Sequence, residues 1–172
     1  MEVELMHPKI VHLPIALAVF MPLLAGGVAL SWWKGWLPRK TWAIPAIAQL
    51  LLVVTGFASM ASGEEDEEIV EAVLSHDLIH AHEEAGELFV YMGVAVLVLA
   101  LAAMFLKKER LALGLAGATT LGSVVVFVLC GQAGSLGGDL VYKHGAANAV
   151  IDGAAIPHGD AGHDDHDEDD HH

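Results

Sequence analysis

A single cysteine, Cys130, in 172 residues means that no disulfide can form within the chain. Basic residues are scarce as well: eight lysines and arginines stand against 22 aspartates and glutamates, for a formal net charge of −14. Without a basic face, nucleic acid is excluded as a partner. The N-terminus has no basic stretch either; Glu2 and Glu4 stand where a cleavable signal would be positive, so the first apolar run reads as a retained membrane segment. Charge is also missing from the middle of every long apolar run. The polar residues there are Gln49, Thr55, Thr119, Thr120 and Ser123, types that in membrane helices bond to backbone or to neighbouring helices. Ion pathways generally use intramembrane charges, so a pump or ion transporter is disfavoured.

What remains is hydrophobicity. Apolar residues make up 55% of the chain and the mean hydropathy is +0.53. The sequence predicts an all-α fold, a four-helix transmembrane bundle within residues 1–150, with spans at about 10–32, 42–61, 87–106 and 111–133. Lys34, Arg39 and Lys40 fill the first connection, and Lys107, Lys108 and Arg110 fill the third, together six of the eight basic residues. By the positive-inside rule these loops are cytoplasmic, and both termini and the middle connection are extracytoplasmic. Trp32, Trp33, Trp36 and Trp42 bracket the first cytoplasmic loop, where indole rings suit the headgroup layer.

This topology gathers all 11 histidines on the extracytoplasmic side, with every acid except Glu109. The middle connection is expected to form an acidic extracytoplasmic helix over about 63–86. Ser62 and Glu65 have capping-box spacing at its start, and the helix runs with little or no break into the third span. On such a helix Ile69, Val73, His76, His80, Glu83, Glu84 and Glu87 share one face, with His82 roughly opposite. His76, His80 and Glu84, at i, i+4 and i+8, have donor types that suit a divalent transition metal. The alternative is a solvated amphipathic helix at the interface. Residues 151–172 are low in complexity, with eight acids between Asp152 and Asp170. They predict a disordered tail whose His158, His163, His166, His171 and His172 hold transition metals weakly, or which serves only as a solubilising extension.

The fourth span is rich in small residues. Gly114, Ala118 and Gly122 follow small-xxx-small spacing, and Gly131, Gly134, Gly137 and Gly138 continue toward its outer end. They allow either close helix packing or room for a flat cofactor. Met21, Met60, Met92 and Met104 read as packing filler rather than copper ligands.

Three stretches together resemble a known family. "HPKIVHLPIAL" opens the first span, "HEEAGEL" at His82 precedes the third, and "GSLGGDLVYKHGAANAV" from Gly134 closes the membrane region. They are similar to the motifs of the bacterial membrane group of domain of unknown function 2231, over about residues 7–150. This chain departs by Leu13 where phenylalanine is usual, by an unusually acidic middle connection, and by the additional His76 and His80. The resemblance implies a bacterial cytoplasmic-membrane location and carries over His7, His12, His82 and His144 as the family histidines. Relatives occur beside cytochrome-like modules, which points by analogy to redox or heme-linked work.

Two classes of function follow. In the first the protein binds heme b, or a transition metal on the same imidazoles, for electron transfer or sensing, with an extracytoplasmic cytochrome or other redox protein as partner. Axial ligands must lie at similar depth on facing helices, which selects His12 with His82, keeps His144 in reserve and leaves His7 as a hydrogen-bonding residue at the mouth of the first helix. A single heme is expected, because no histidine is available toward the cytoplasm. In the second class the protein is a structural or assembly subunit, or delivers or transports metal by means of its tail. No independent catalytic activity is expected on any of these readings.

Overall fold

A computed structural model describes residues 7–70 and 74–144. Helix α1 (His7–Ile10) runs through a turn at Val11 into α2 (His12–Trp33); a 3-10 turn at Arg39–Trp42 leads into α3 (Ala43–Val70), followed by α4 (His76–Phe105) and α5 (Glu109–Tyr142). Among the described residues all regular structure is helical, and four helices are long and apolar enough to cross a membrane. Polar backbone in hydrocarbon must be satisfied within its own segment, which is why such runs become helices. The first connection is set by Gly35. Its φ of +73° is the left-handed conformation that ends a helix, and its N–H donates to the carbonyl of Trp32 at 2.9 Å.

The helices pack as a ring in chain order, α2 on α3, α3 on α4, α4 on α5, and α5 back on α2, while the diagonal pairs do not approach. Their buried stripes explain the geometry. Helix α2 buries Pro14, Ala18, Met21, Ala25, Val28 and Trp32, and α5 buries Ala112, Ala116, Thr119, Ser123, Val126, Cys130 and Ala133. Steps alternating between four and three residues keep one seam facing the bundle, as in coiled coils. Of the expected Gly114, Ala118 and Gly122 line, Gly122 lies at a close helix contact and Gly114 does not. A side chain at Gly114 would meet nothing within 4 Å, whereas a Cβ at Gly122 would stand 2.7 Å from Val96 Cγ2. Gln49, fully buried, ties α3 to α4 by donating from Nε2 to the carbonyl of Gly93 at 2.9 Å. Thr55, Thr119, Thr120 and Ser123 instead donate to carbonyls of their own helices.

At the end of the bundle that carries the basic loops, two expectations change. Trp32 and Trp42 are buried, at 6% and 1% exposure, rather than set in a headgroup belt. Their indole N–H groups are matched, Trp32 by Glu109 Oε1 at 3.3 Å and Trp42 by the carbonyl of Ala100 at 3.0 Å, which lets both rings enter the core. Trp33 and Trp36 remain exposed. Arg39 lies over the Trp32 ring and donates to the carbonyls of Ala103, Met104 and Leu106, closing the C-terminal end of α4.

The acidic connection also differs from a single helix over 63–86. Helix α3 continues past Ser62 and Gly63 to Val70, and α4 begins afresh at His76. Ser62 is not a cap; its hydroxyl donates to the carbonyl of Ser59 at 2.9 Å, one turn back in the same helix. Ile69 and His76 thus belong to different helices, and Val73 lies outside the described residues, as does the tail. From His76 onward the helix enters the third span without interruption.

Candidate functional site

At the opposite end from the basic loops lies a half-open cavity of about 630 Å³ lined by every helix of the ring. That volume falls in the range of small-molecule and cofactor sites. Its walls are largely apolar, with Val11, Ile15, Met60, Phe89, Val90 and Leu140 among them, and its polar lining includes His7, His12, Ser59, Glu64, His82, Glu83 and Glu87. Cys130 lies in the wall as a buried free thiol.

Two imidazoles meet at this cavity. His7, on α1, and His82, on α4, have ring centroids 6.1 Å apart and planes at 89°. Helices α1 and α4 make no close backbone approach, so the two side chains reach toward each other from separate walls. Each ring is held by a main-chain carbonyl of a third helix. His7 Nδ1 donates to Ser59 of α3 at 2.8 Å, with the Ser62 hydroxyl 3.4 Å away, and His82 Nδ1 donates to Ala133 of α5 at 3.1 Å. A carbonyl can only accept, so both rings carry their proton on Nδ1 when neutral, and Nε2 is the basic nitrogen.

Glycines shape the seats of both rings. A Cβ on Gly63 would stand 3.4 Å from His7 Nδ1, and one on Gly137 would stand 2.9 Å from His82 Cε1. Gly86, Gly134 and Gly138 also line the cavity, yet a side chain at any of them would meet nothing within 4 Å. Protein packing demands glycine at 137, a Cβ at 63 would make only ordinary contact with His7, and at 86, 134 and 138 the bare backbone leaves space.

The four family histidines do not converge equally. The geometry brings His82 to His7 rather than to His12. His12 lines the same cavity but is exposed, and among the described residues nothing joins it to His82. His144 lies outside the cavity lining, exposed beyond the end of α5, with its N–H bonded to the Asp139 carbonyl at 3.2 Å. His76 and His80 sit exposed on the first turns of α4, and His80 Nδ1 is 3.6 Å from Glu84 Oε1. His158, His163, His166, His171 and His172 fall outside the described residues. Among those described, no three His, Cys, Asp or Glu side chains form a group able to hold a metal ion. Sequence reasoning missed Ser59 and Ala133, which act through backbone carbonyls that every residue possesses and so leave no signal in residue type.

The family described as predicted membrane protein (DUF2231) matches residues 5–150. No curated protein and no solved structure matches the chain.

Proposed function

The chain belongs to the DUF2231 family of predicted membrane proteins, and from that premise we propose that it is a multi-pass membrane module that holds one heme b between His7 and His82 for electron transfer or sensing. The observation that carries this reading is the His7–His82 pair itself, at 6.1 Å between ring centroids. Metal–imidazole bonds of about 2.0–2.1 Å put the centres of two opposed rings about 6 Å apart. Ligating histidines characteristically donate their other ring N–H to a carbonyl or carboxylate, which fixes the tautomer and strengthens the donor nitrogen. Both rings do so here, to Ser59 and Ala133.

The donor set favours heme over a bare ion in the cavity. A structural ion bound by protein alone needs about four ligands, and no group of even three is available among the described residues. Heme iron brings its own equatorial nitrogens and asks the protein only for axial ligands. The apolar cavity and the unfilled space beside Gly86, Gly134 and Gly138 suit a large flat group. When bound, the heme supplies one-electron redox chemistry whose potential follows axial ligation and burial. The chain's own residues orient the imidazoles and set the depth of the site. On this reading the positive-inside rule turns the cavity end to the extracytoplasmic face, and the proposed electron partner is an extracytoplasmic cytochrome or other redox protein.

The test is optical. Protein purified in detergent, as isolated or after reconstitution with hemin, is expected to show a low-spin Soret and α-band spectrum. His7→Ala and His82→Ala should each abolish the low-spin form, while His12→Ala and His144→Ala retain it. Protein that stays colourless with hemin overturns the proposal and leaves the structural-subunit reading.

A further inference from the structure

A second pair of imidazoles lies on α4, apart from the cavity. His76 and His80 are exposed and one turn apart, at i and i+4, with ring centroids 5.9 Å apart and planes at 56°. Side chains at this spacing occupy the same helix face. The intervening Ile79 is buried, packed with Leu74 and Leu140, so the helix is anchored while its two imidazoles stay in solvent. Glu84 lies one further turn along, its Oε1 3.6 Å from His80 Nδ1.

We propose that His76 and His80 form a surface chelate for a divalent late first-row transition ion, with Glu84 as the positioning residue of His80 rather than as a third ligand. The rings, 5.9 Å apart between centroids, close by about 1 Å through side-chain rotation to share one ion with metal–nitrogen bonds of about 2.0–2.1 Å. Glu84 Oε1 lies on the Nδ1 side of His80 at 3.6 Å, just beyond hydrogen-bond distance; closing that gap on binding would leave Nε2 for the metal, as carboxylates do for ligating histidines. Two protein ligands suffice here because exposure lets water complete the coordination shell. Imidazole donors bind such ions in an order that peaks at copper. The anchored helix fixes the backbone positions of the pair, so binding has only the two side chains to order. Asp77 and Glu83, on the neighbouring turns, add negative charge that favours a cation. The proposal is independent of heme in the cavity.

The probe is Cu(II), and the reference is the full-length chain with His158, His163, His166, His171 and His172 all replaced by asparagine, which removes the histidines of the tail. One equivalent of Cu(II) is expected, with an electron paramagnetic resonance spectrum showing coupling to two imidazole nitrogens. H76N and H80N should each reduce the coupling to one nitrogen and weaken binding at least tenfold in chelator competition. E84Q should weaken binding less, with both nitrogens retained. The register control H80A/A81H keeps two histidines but breaks the i, i+4 spacing, and it should behave like H80N. These positions are exposed, and an unchanged thermal unfolding midpoint checks that each variant is folded. The proposal is overturned if the reference binds no Cu(II), or if H76N, H80N and the register control all leave affinity and spectrum unchanged.

Discussion

Gly134 and Gly137 lie one turn apart on α5 and answer to different constraints. At Gly137 a methyl group would stand 2.9 Å from His82 Cε1 and 3.3 Å from its Nδ1, so the ring must leave its place against Ala133. Crowding of that kind costs about 1–3 kcal/mol, partly offset by the roughly 1 kcal/mol by which alanine exceeds glycine in a helix. Gly137→Ala is therefore expected to lower unfolding stability in detergent by up to about 2 kcal/mol. Gly134→Ala meets nothing, so it should leave the unliganded protein as stable or up to about 1 kcal/mol more stable, while lowering its heme occupancy on reconstitution. Equal stability effects at the two positions would show that the seat of His82 is mis-described. Residue types at this end were legible in the sequence: the histidines, the outer glycines, and His7 as a hydrogen-bonding residue. Which imidazoles meet was not, because that depends on the turn at Val11 and on the carbonyls of Ser59 and Ala133.

At the scale of helices, periodicity located the four spans, and the alternating apolar and charged stretches suffice for that. It gave their ends poorly. Hydropathy falls where the acids begin after Ser62, but a helix does not stop where it leaves the apolar layer, and α3 runs on to Val70. The packing seam was legible only in part. Of the Gly114, Ala118 and Gly122 line, Gly122 meets α4 while Gly114 meets nothing, and the buried stripe is the 4–3 series from Ala112 to Ala133. Gly122→Ala is accordingly expected to destabilise by about 1–3 kcal/mol through contact with Val96, and Gly114→Ala not at all. Val96→Ala combined with Gly122→Ala should recover part of that loss, a coupling readable in a double-mutant cycle. Arg39 serves as the cap of α4. Arg39→Ala leaves the carbonyls of Ala103, Met104 and Leu106 without their donor and should lower unfolding stability by about 1–2 kcal/mol. Arg39→Lys is expected to restore only part, since an ammonium cannot reproduce the planar fork.

For the molecule as a whole, the two ends of the bundle have opposite characters. One carries the arginine cap, the basic loops and paired indoles; the other carries the imidazoles, the acids and the cavity. If the basic end faces the cytoplasm, as the charge distribution directs, a periplasmic-type reporter fused after His172 will be active and a cytoplasmic one silent. The reverse result would turn the cavity toward the cytoplasm and change the class of partner. The cavity end also has a history written into its order along the chain. His7 emerges from the ribosome 52 residues before the carbonyl of Ser59 that holds it, and 75 residues before the His82 ring it faces. The last parts of the seat, Ala133 and Gly137, come on the final helix. During synthesis the first histidine therefore waits in a half-built bundle, and no complete site exists until α5 has been inserted. Loading of any cofactor is thereby a late event in biogenesis, and a nascent chain stalled before α5 should emerge without one.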